Sequence, residues 1–285
     1  MALDQIDVDK LGAPQKEMSF LEHLEELRWH IIRSLSAIIL VGILLFFFQR
    51  WLFEVIIFGP THDEFISYVA ICDFSNWLGL GDRMCFTPPE FRKQAIGFGE
   101  SFITSIKVCF IAGFIAAFPY VFWEIWRFIS PGLYEKERRA TRGVVFICSF
   151  LFLLGVLFGY FIIAPFAVNF LAGYTIPGVE NSPTLSSFIN YMVMFTAPAG
   201  LIFELPIVVY FLSKIGLVTP QLMRTYRRHS IIIILLLSAL ITPPDVVTQF
   251  LIGIPLFILY EISIVISRRV EKQEQKKWNE FDKGY

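Results

Sequence analysis

The stretch VVFICSFLFLLGVLFGYFIIAPF, residues 144–166, carries no charged side chain. About 20 consecutive apolar residues suffice for a helix to cross the roughly 30 Å hydrocarbon core of a bilayer. A water-soluble helix of this length would show a polar face, and this one has none. Lys136, Arg138, Arg139 and Arg142 precede the run, whereas residues 167–187 contain no Lys or Arg. A basic flank on one side only marks a span that starts in the cytoplasm.

Working outward, five more runs have the same character: Ile31–Gln49, Phe102–Trp123, Phe188–Leu212, Ser230–Thr242 and Val246–Ile266. The expected fold is an all-α integral membrane protein with six transmembrane helices. The fifth span is short, because Thr242-Pro243-Pro244-Asp245 ends it. Proline lacks the N–H that continues a helix, and its ring crowds the preceding turn. So short a span would thin the local bilayer or tilt its neighbours. Composition agrees with a membrane setting. Of 285 residues, 55% are hydrophobic, 31 are Phe and 17% are charged, with a mean hydropathy of +0.62. An average soluble domain has about 25% charged residues.

The net charge of −1 is uninformative, but its distribution sets the orientation. Lys10, Lys16, Arg28 and Arg33 lie before or at the start of the first span, and Arg127 to Arg142 separate spans two and three. Lys214, Arg224, Arg227 and Arg228 separate spans four and five, and Arg268 to Lys283 follow the last. The opposite side holds Arg50, Arg83, Arg92 and Lys93, all in one long loop; Lys107, just inside span two, can reach that side. Both termini are therefore expected in the cytoplasm. Asp4, Asp7 and Asp9, with no early apolar run, argue against a secretory signal or transit peptide. Residues 1–17 are read as a disordered tail, 18–269 as the membrane domain and 270–285 as a cytoplasmic tail. An enlarged outside loop occupies about 50–101. Cys72 and Cys85 lie in that loop, where a disulfide can persist; a bridge and two free thiols are equally compatible with the sequence.

Certain polar residues stand out against this background. Ser19-Phe20-Leu21-Glu22 has the pattern of a helix-capping box. In the helix that follows, Phe20, Leu24, Leu27 and Ile31 share one face, and Glu22, Glu25, Glu26, Trp29 and Arg33 gather opposite. Three carboxylates thus cluster on a side dominated by Lys and Arg. Residues 126–139, WRFISPGLYEKERR, mix aromatics, a Pro-Gly turn and both charge signs. Glu204 lies inside span four, where a carboxylate is costly and needs a partner or a wet cavity. Pro206 is expected to kink the helix beside it. Asp245 and Gln249 stand one turn apart at the start of span six, where Asp245 could equally be a helix N-cap. No HExxH, GxSxG, P-loop or dinucleotide turn is present, and His23, His30, His62 and His229 are scattered. Neither an enzyme nor a cofactor is expected.

These motifs, in this order, resemble the TatC family, the multispanning subunit of the twin-arginine protein translocase. The resemblance runs from about Met18 to Arg269. It rests on residues 19–28 (SFLEHLEELR), residues 126–139, Phe203-Glu204-Leu205-Pro206 and Leu240-Ile241-Thr242-Pro243-Pro244-Asp245. It implies a bacterial inner-membrane receptor, with both termini cytoplasmic, that binds twin-arginine signal peptides of folded cargo. Implied partners are TatA- and TatB-type single-span subunits, the lipid bilayer and further copies of the chain, but no nucleic acid. Transport would draw on the proton-motive force. By the resemblance, Glu26 and Glu137 contact the two signal arginines. Phe128, Glu22 and Arg28 belong to the same receiving surface. Glu204 is the family's intramembrane carboxylate, Asp245 and Gln249 its polar pair, and Pro60 a proline of the first outside loop. Span six is expected to be short, like span five. Thr61–Arg92, with both cysteines, looks like an insertion. The competing readings are a secondary transporter with Glu204 as ion site and an intramembrane enzyme, for which no catalytic pair is found.

Overall fold

The computed structural model describes residues 20–77, 79, 81, 85, 94–129, 141–174, 176–178, 183–241 and 246–282. Ten helices organise them: α1 (Phe20–Phe47), α2 (Ile66–Trp77), α3 (Glu100–Ile129), α4 (Thr141–Phe158), α5 (Ala164–Gly173), α6 (Leu185–Phe203), α7 (Leu205–Lys214), α8 (Pro220–Thr225), α9 (Arg227–Ile241) and α10 (Val246–Asp282). Short turns of 3₁₀ and π helix, and the single turn Gln49–Trp51, join some of them. The described residues form no strand; a lone bridge pairs Gln94 with Thr184.

Five helical stretches among the described residues are long and apolar enough to cross a membrane: His23–Phe47, Glu100–Ile129, Gly143–Gly173, Leu185–Lys214 and Thr248–Lys276. The expected fifth span, 230–242, falls in α9. This helix has 15 residues, about 22 Å of length, and is too short to count with the five. The expected sixth span, 246–266, falls in α10. α10 runs unbroken for 37 residues past Pro255. Its apolar part gives way at Arg268 to Glu, Lys and Gln, which are good helix formers and carry the helix on in a solvated form. Residues 270–282 are helical and continue α10.

Neighbouring spans approach closely at small residues. α1 and α3 run antiparallel, and a Cβ on Gly113 would lie 2.8 Å from the Gly42 nitrogen and 2.9 Å from the Ile38 carbonyl. Gly155 and Gly159, four residues apart, do the same for α6. A Cβ on Gly155 would meet the Ala199 carbonyl at 2.6 Å, and one on Gly159 the Phe195 carbonyl at 2.3 Å. In a membrane, where apolar burial gives no driving force between helices, such close backbone approach is what holds spans together. A π turn, Gly159–Ile163, precedes Pro165 and joins α4 to α5. Phe118 and Phe152 stack between α3 and α4 with centroids 3.5 Å apart. Phe152, Phe195 and Ile189 are fully buried.

The face of α1 that packs inward differs from the expected apolar stripe. Leu24 and Ile31 are exposed, while His30, Ile38 and Gly42 are buried. Lipid solvates apolar side chains as well as protein does, so the polar and small residues turn to the neighbouring helix.

Candidate functional site

Where the N-terminal part of α1 meets the end of α3, three polar side chains converge on one carboxylate. Glu124 is 1% exposed. His30 Nδ1 donates to its Oε2 at 2.5 Å, the Tyr120 hydroxyl donates to Oε1 at 3.0 Å, and Arg33 Nε lies 3.5 Å from Oε2. A carboxylate can only accept, so the bond fixes the His30 proton on Nδ1. The other ring nitrogen, Nε2, lies 4.0 Å from Oε1 of the half-buried Glu26. His30 therefore sits between a buried carboxylate and an accessible one.

The same imidazole touches Phe128 edge-on, at 5.9 Å between centroids. His23, two turns earlier on α1, stacks on Phe128 at 4.5 Å and 18°. Phe128 is thus held between two histidines of α1, one of them anchored to Glu124. Together Glu26, His23 and Phe128 form a surface of one carboxylate beside an aromatic platform. Such a surface can take a guanidinium by charge-assisted bonding and by stacking.

The other expected residues are distributed as follows. Arg28 lies 4.0 Å from Glu25 and over the Trp29 ring. Glu22 lies in α1 but its side chain, like Glu137 and Asp245 altogether, is outside the described residues. Glu204 occupies the break between α6 and α7, one residue before the Leu205-Pro206 start of α7. Its carboxylate is buried, and neither oxygen makes a hydrogen bond of good geometry, although the Cys148 thiol lies against it. Gln249 donates its amide to the Leu235 carbonyl at 3.1 Å, tying α10 to α9. Pro60 is buried in a 3₁₀ turn and its carbonyl accepts from the Tyr68 hydroxyl at 2.7 Å. Burial and the Asp63 carboxylate push the Tyr68 phenol above its ordinary range. Cys72 and Cys85 are joined in a disulfide. Glu261, at the end of the apolar part of α10, pairs with Arg227 at 2.8 Å.

Sequence reasoning missed Glu124 and His30. The signal was present: Trp123-Glu124-Ile125-Trp126 sets one carboxylate among apolar aromatics, with Tyr120 and Phe128 one turn away on either side.

A family model described as Sec-independent protein translocase protein (TatC) matches residues 22–255. The chain belongs to the TatC family. A TatC of Blattabacterium sp. subsp. Periplaneta americana is 39% identical over 91% of this chain and 98% of its own length. The TatC of Aquifex aeolicus is 34% identical over 91% of this chain and its whole length. Among solved structures, one described as the twin arginine translocase receptor TatC in DDM superposes with a TM-score of 0.67. It is 33% identical and covers 86% of this chain and 99% of its own. Membership of the TatC family and the five apolar stretches make the chain a membrane protein of a protein translocase.

Proposed function

We propose that the chain is the signal-receiving core of a twin-arginine translocase, with the α1–α3 surface as receptor for paired arginines. The observation that carries the reading is the half-buried Glu26 carboxylate beside a Phe128 ring fixed by His23 and by the Glu124-anchored His30. Two adjacent arginines need two carboxylates at the membrane surface. Glu26 supplies one, and Glu137, which follows α3 in the chain, supplies the other; Glu22 and Arg28 contribute to the same recognition. Each charge-assisted bond contributes about 1.5–3 kcal/mol at best, and less where exposed.

In this reading both termini and the α1–α3 surface face the cytoplasm of a bacterial inner membrane. α9 completes six crossings as a short span. TatA- and TatB-type single-span subunits assemble with the chain, with Glu204, Asp245, Gln249 and Pro60 as contact or transport residues. The proton-motive force drives export.

Site-specific photocrosslinking in native membranes tests the reading. A probe at Trp29 or Phe128 is offered a precursor with an Arg-Arg signal and the same precursor with Lys-Lys. The reading expects a strong crosslink to the first that is lost with the second, and weakened by Glu26→Ala or Glu137→Ala. Equal labelling of both precursors removes the arginine mechanism.

A further inference from the structure

At the opposite end of α3, the structure leaves one cation and one anion without ionic partners among the described residues. Lys107 is exposed, and its ammonium contacts a neutral group, the side-chain oxygen of Asn190 on α6. Lys107 and Arg127 are 20 residues apart on the same helix, about 30 Å, which is the thickness of the hydrocarbon core. Arg127 marks one boundary of that core and Lys107 the other. Ile103, Ile106 and Phe110 around Lys107 are exposed apolar residues, as a lipid-facing surface requires. A lysine at this depth seeks an anion at the headgroup level.

Glu100 stands two helical turns from Lys107 toward the headgroups, on the same side of α3. Its carboxylate accepts from the backbone nitrogens of Ile96 and Gly97, each at 2.8 Å, and of Ser186 at 2.9 Å. Backbone amides orient the charge without neutralising it, and a carboxylate has about four acceptor positions. At the level of Glu100, α3 and the start of α6 border an open recess of about 450 Å³ lined by Gly97, Phe98, Glu100, Ile103, Thr104, Thr184 and Ser186. The Glu100–Ser186 bond lies in its lining, and Lys107–Asn190 crosses one turn further along α3 than Ile103 and Thr104.

The geometry points to a headgroup site for a phospholipid carrying a primary amine, with its phosphate on Lys107 and Asn190 and its ammonium on Glu100. The order of charges with depth matches: the phosphate of such a lipid lies nearer the hydrocarbon than its amine, as Lys107 lies nearer than Glu100. A choline headgroup has no N–H to give Glu100, and a glycerol headgroup has no cation. The site is separate from the α1–α3 surface, so its failure and that of the receptor reading are distinguishable.

The test uses the full chain, stripped of lipid in detergent and titrated with phosphatidylethanolamine, phosphatidylcholine or phosphatidylglycerol of the same acyl chains. Native mass spectrometry reads the lipid-bound fraction. Phosphatidylethanolamine is expected to bind about fivefold better than the other two, the ratio expected of one added surface ion pair. Lys107→Met, at an exposed position, should lower binding of phosphatidylethanolamine and phosphatidylglycerol alike by a similar factor. Glu100→Gln, which keeps an acceptor for the backbone amides, should lower phosphatidylethanolamine alone. Unchanged lipid binding in Lys107→Met overturns the proposal. So does loss of a co-purifying single-span subunit in that variant with lipid occupancy intact, which would assign the lysine to a protein interface.

Discussion

Replacing Glu124 by Ala removes the acceptor shared by His30, Tyr120 and Arg33. Tyr120 and Arg33 are partly exposed and can turn to water or headgroups. His30 cannot, since it is 5% exposed. A buried donor left unsatisfied costs about 1–3 kcal/mol. Hydrogen bonds between membrane helices average about 0.6 kcal/mol and reach about 1.7. The His30–Glu124 bond involves a charged acceptor shielded from both water and lipid, so its coupling energy belongs at the upper end, about 1.5–2 kcal/mol. The assay is a double-mutant cycle of Glu124→Ala and His30→Ala, unfolded by denaturant in detergent and followed by circular dichroism. Glu124→Ala alone should lose about 2–3 kcal/mol. Glu124→Gln, which keeps an acceptor for His30, should lose about 1 kcal/mol. The same variants report on the receptor surface: Glu124→Ala frees His30 and with it one of the two rings that hold Phe128. A coupling energy indistinguishable from zero would refute the claim that the buried pair joins α1 to α3.

Three more outcomes are expected. Gly159→Leu should cost about 3 kcal/mol or more by overpacking, because its Cβ meets the Phe195 carbonyl at 2.3 Å, backbone against backbone. Gly143→Ala, with nothing within 4 Å, serves as the silent control, and equal unfolding midpoints for the two would contradict the packing. Glu204→Gln should leave stability unchanged or raised by about 1 kcal/mol, since a buried carboxylate without a good hydrogen bond loses its desolvation cost. Export of an Arg-Arg precursor by that variant should fall, and a large loss of stability would instead make Glu204 a structural residue. Cys72→Ser opens a 13-residue separation, for which chain entropy gives about 3 kcal/mol. Protease should then cut the segment around α2 faster than in the parent, and an unchanged rate would show that the bridge contributes nothing there.

Much of the architecture was legible because hydropathy is a local property. Residues 144–166 lie within a stretch long and apolar enough to cross; the runs 102–123 and 188–212 also fall within such stretches, and Ile31–Gln49 and Val246–Ile266 overlap theirs. Span six was expected short on family resemblance, and the helix formers after Arg268 carry its helix on as a solvated extension. α1 is the instructive case. Its 3.6-residue periodicity was readable, but which face packs inward was not, because in lipid the apolar face is the one left outside. Leu24 and Ile31 accordingly look outward and His30 inward. Glu26 and Phe128 could be named from motifs, whereas their relation could not.

The sequence by itself determined that the chain is a helical membrane protein, and its motifs placed it among its relatives. Each of those signals is carried by residues within a few turns of one another. Only the tertiary structure decided that Glu124 is the buried anchor of the α1–α3 surface. Its partner His30 is 94 residues away in the chain, and two helices must pack antiparallel, glycine against glycine, before the two side chains can meet.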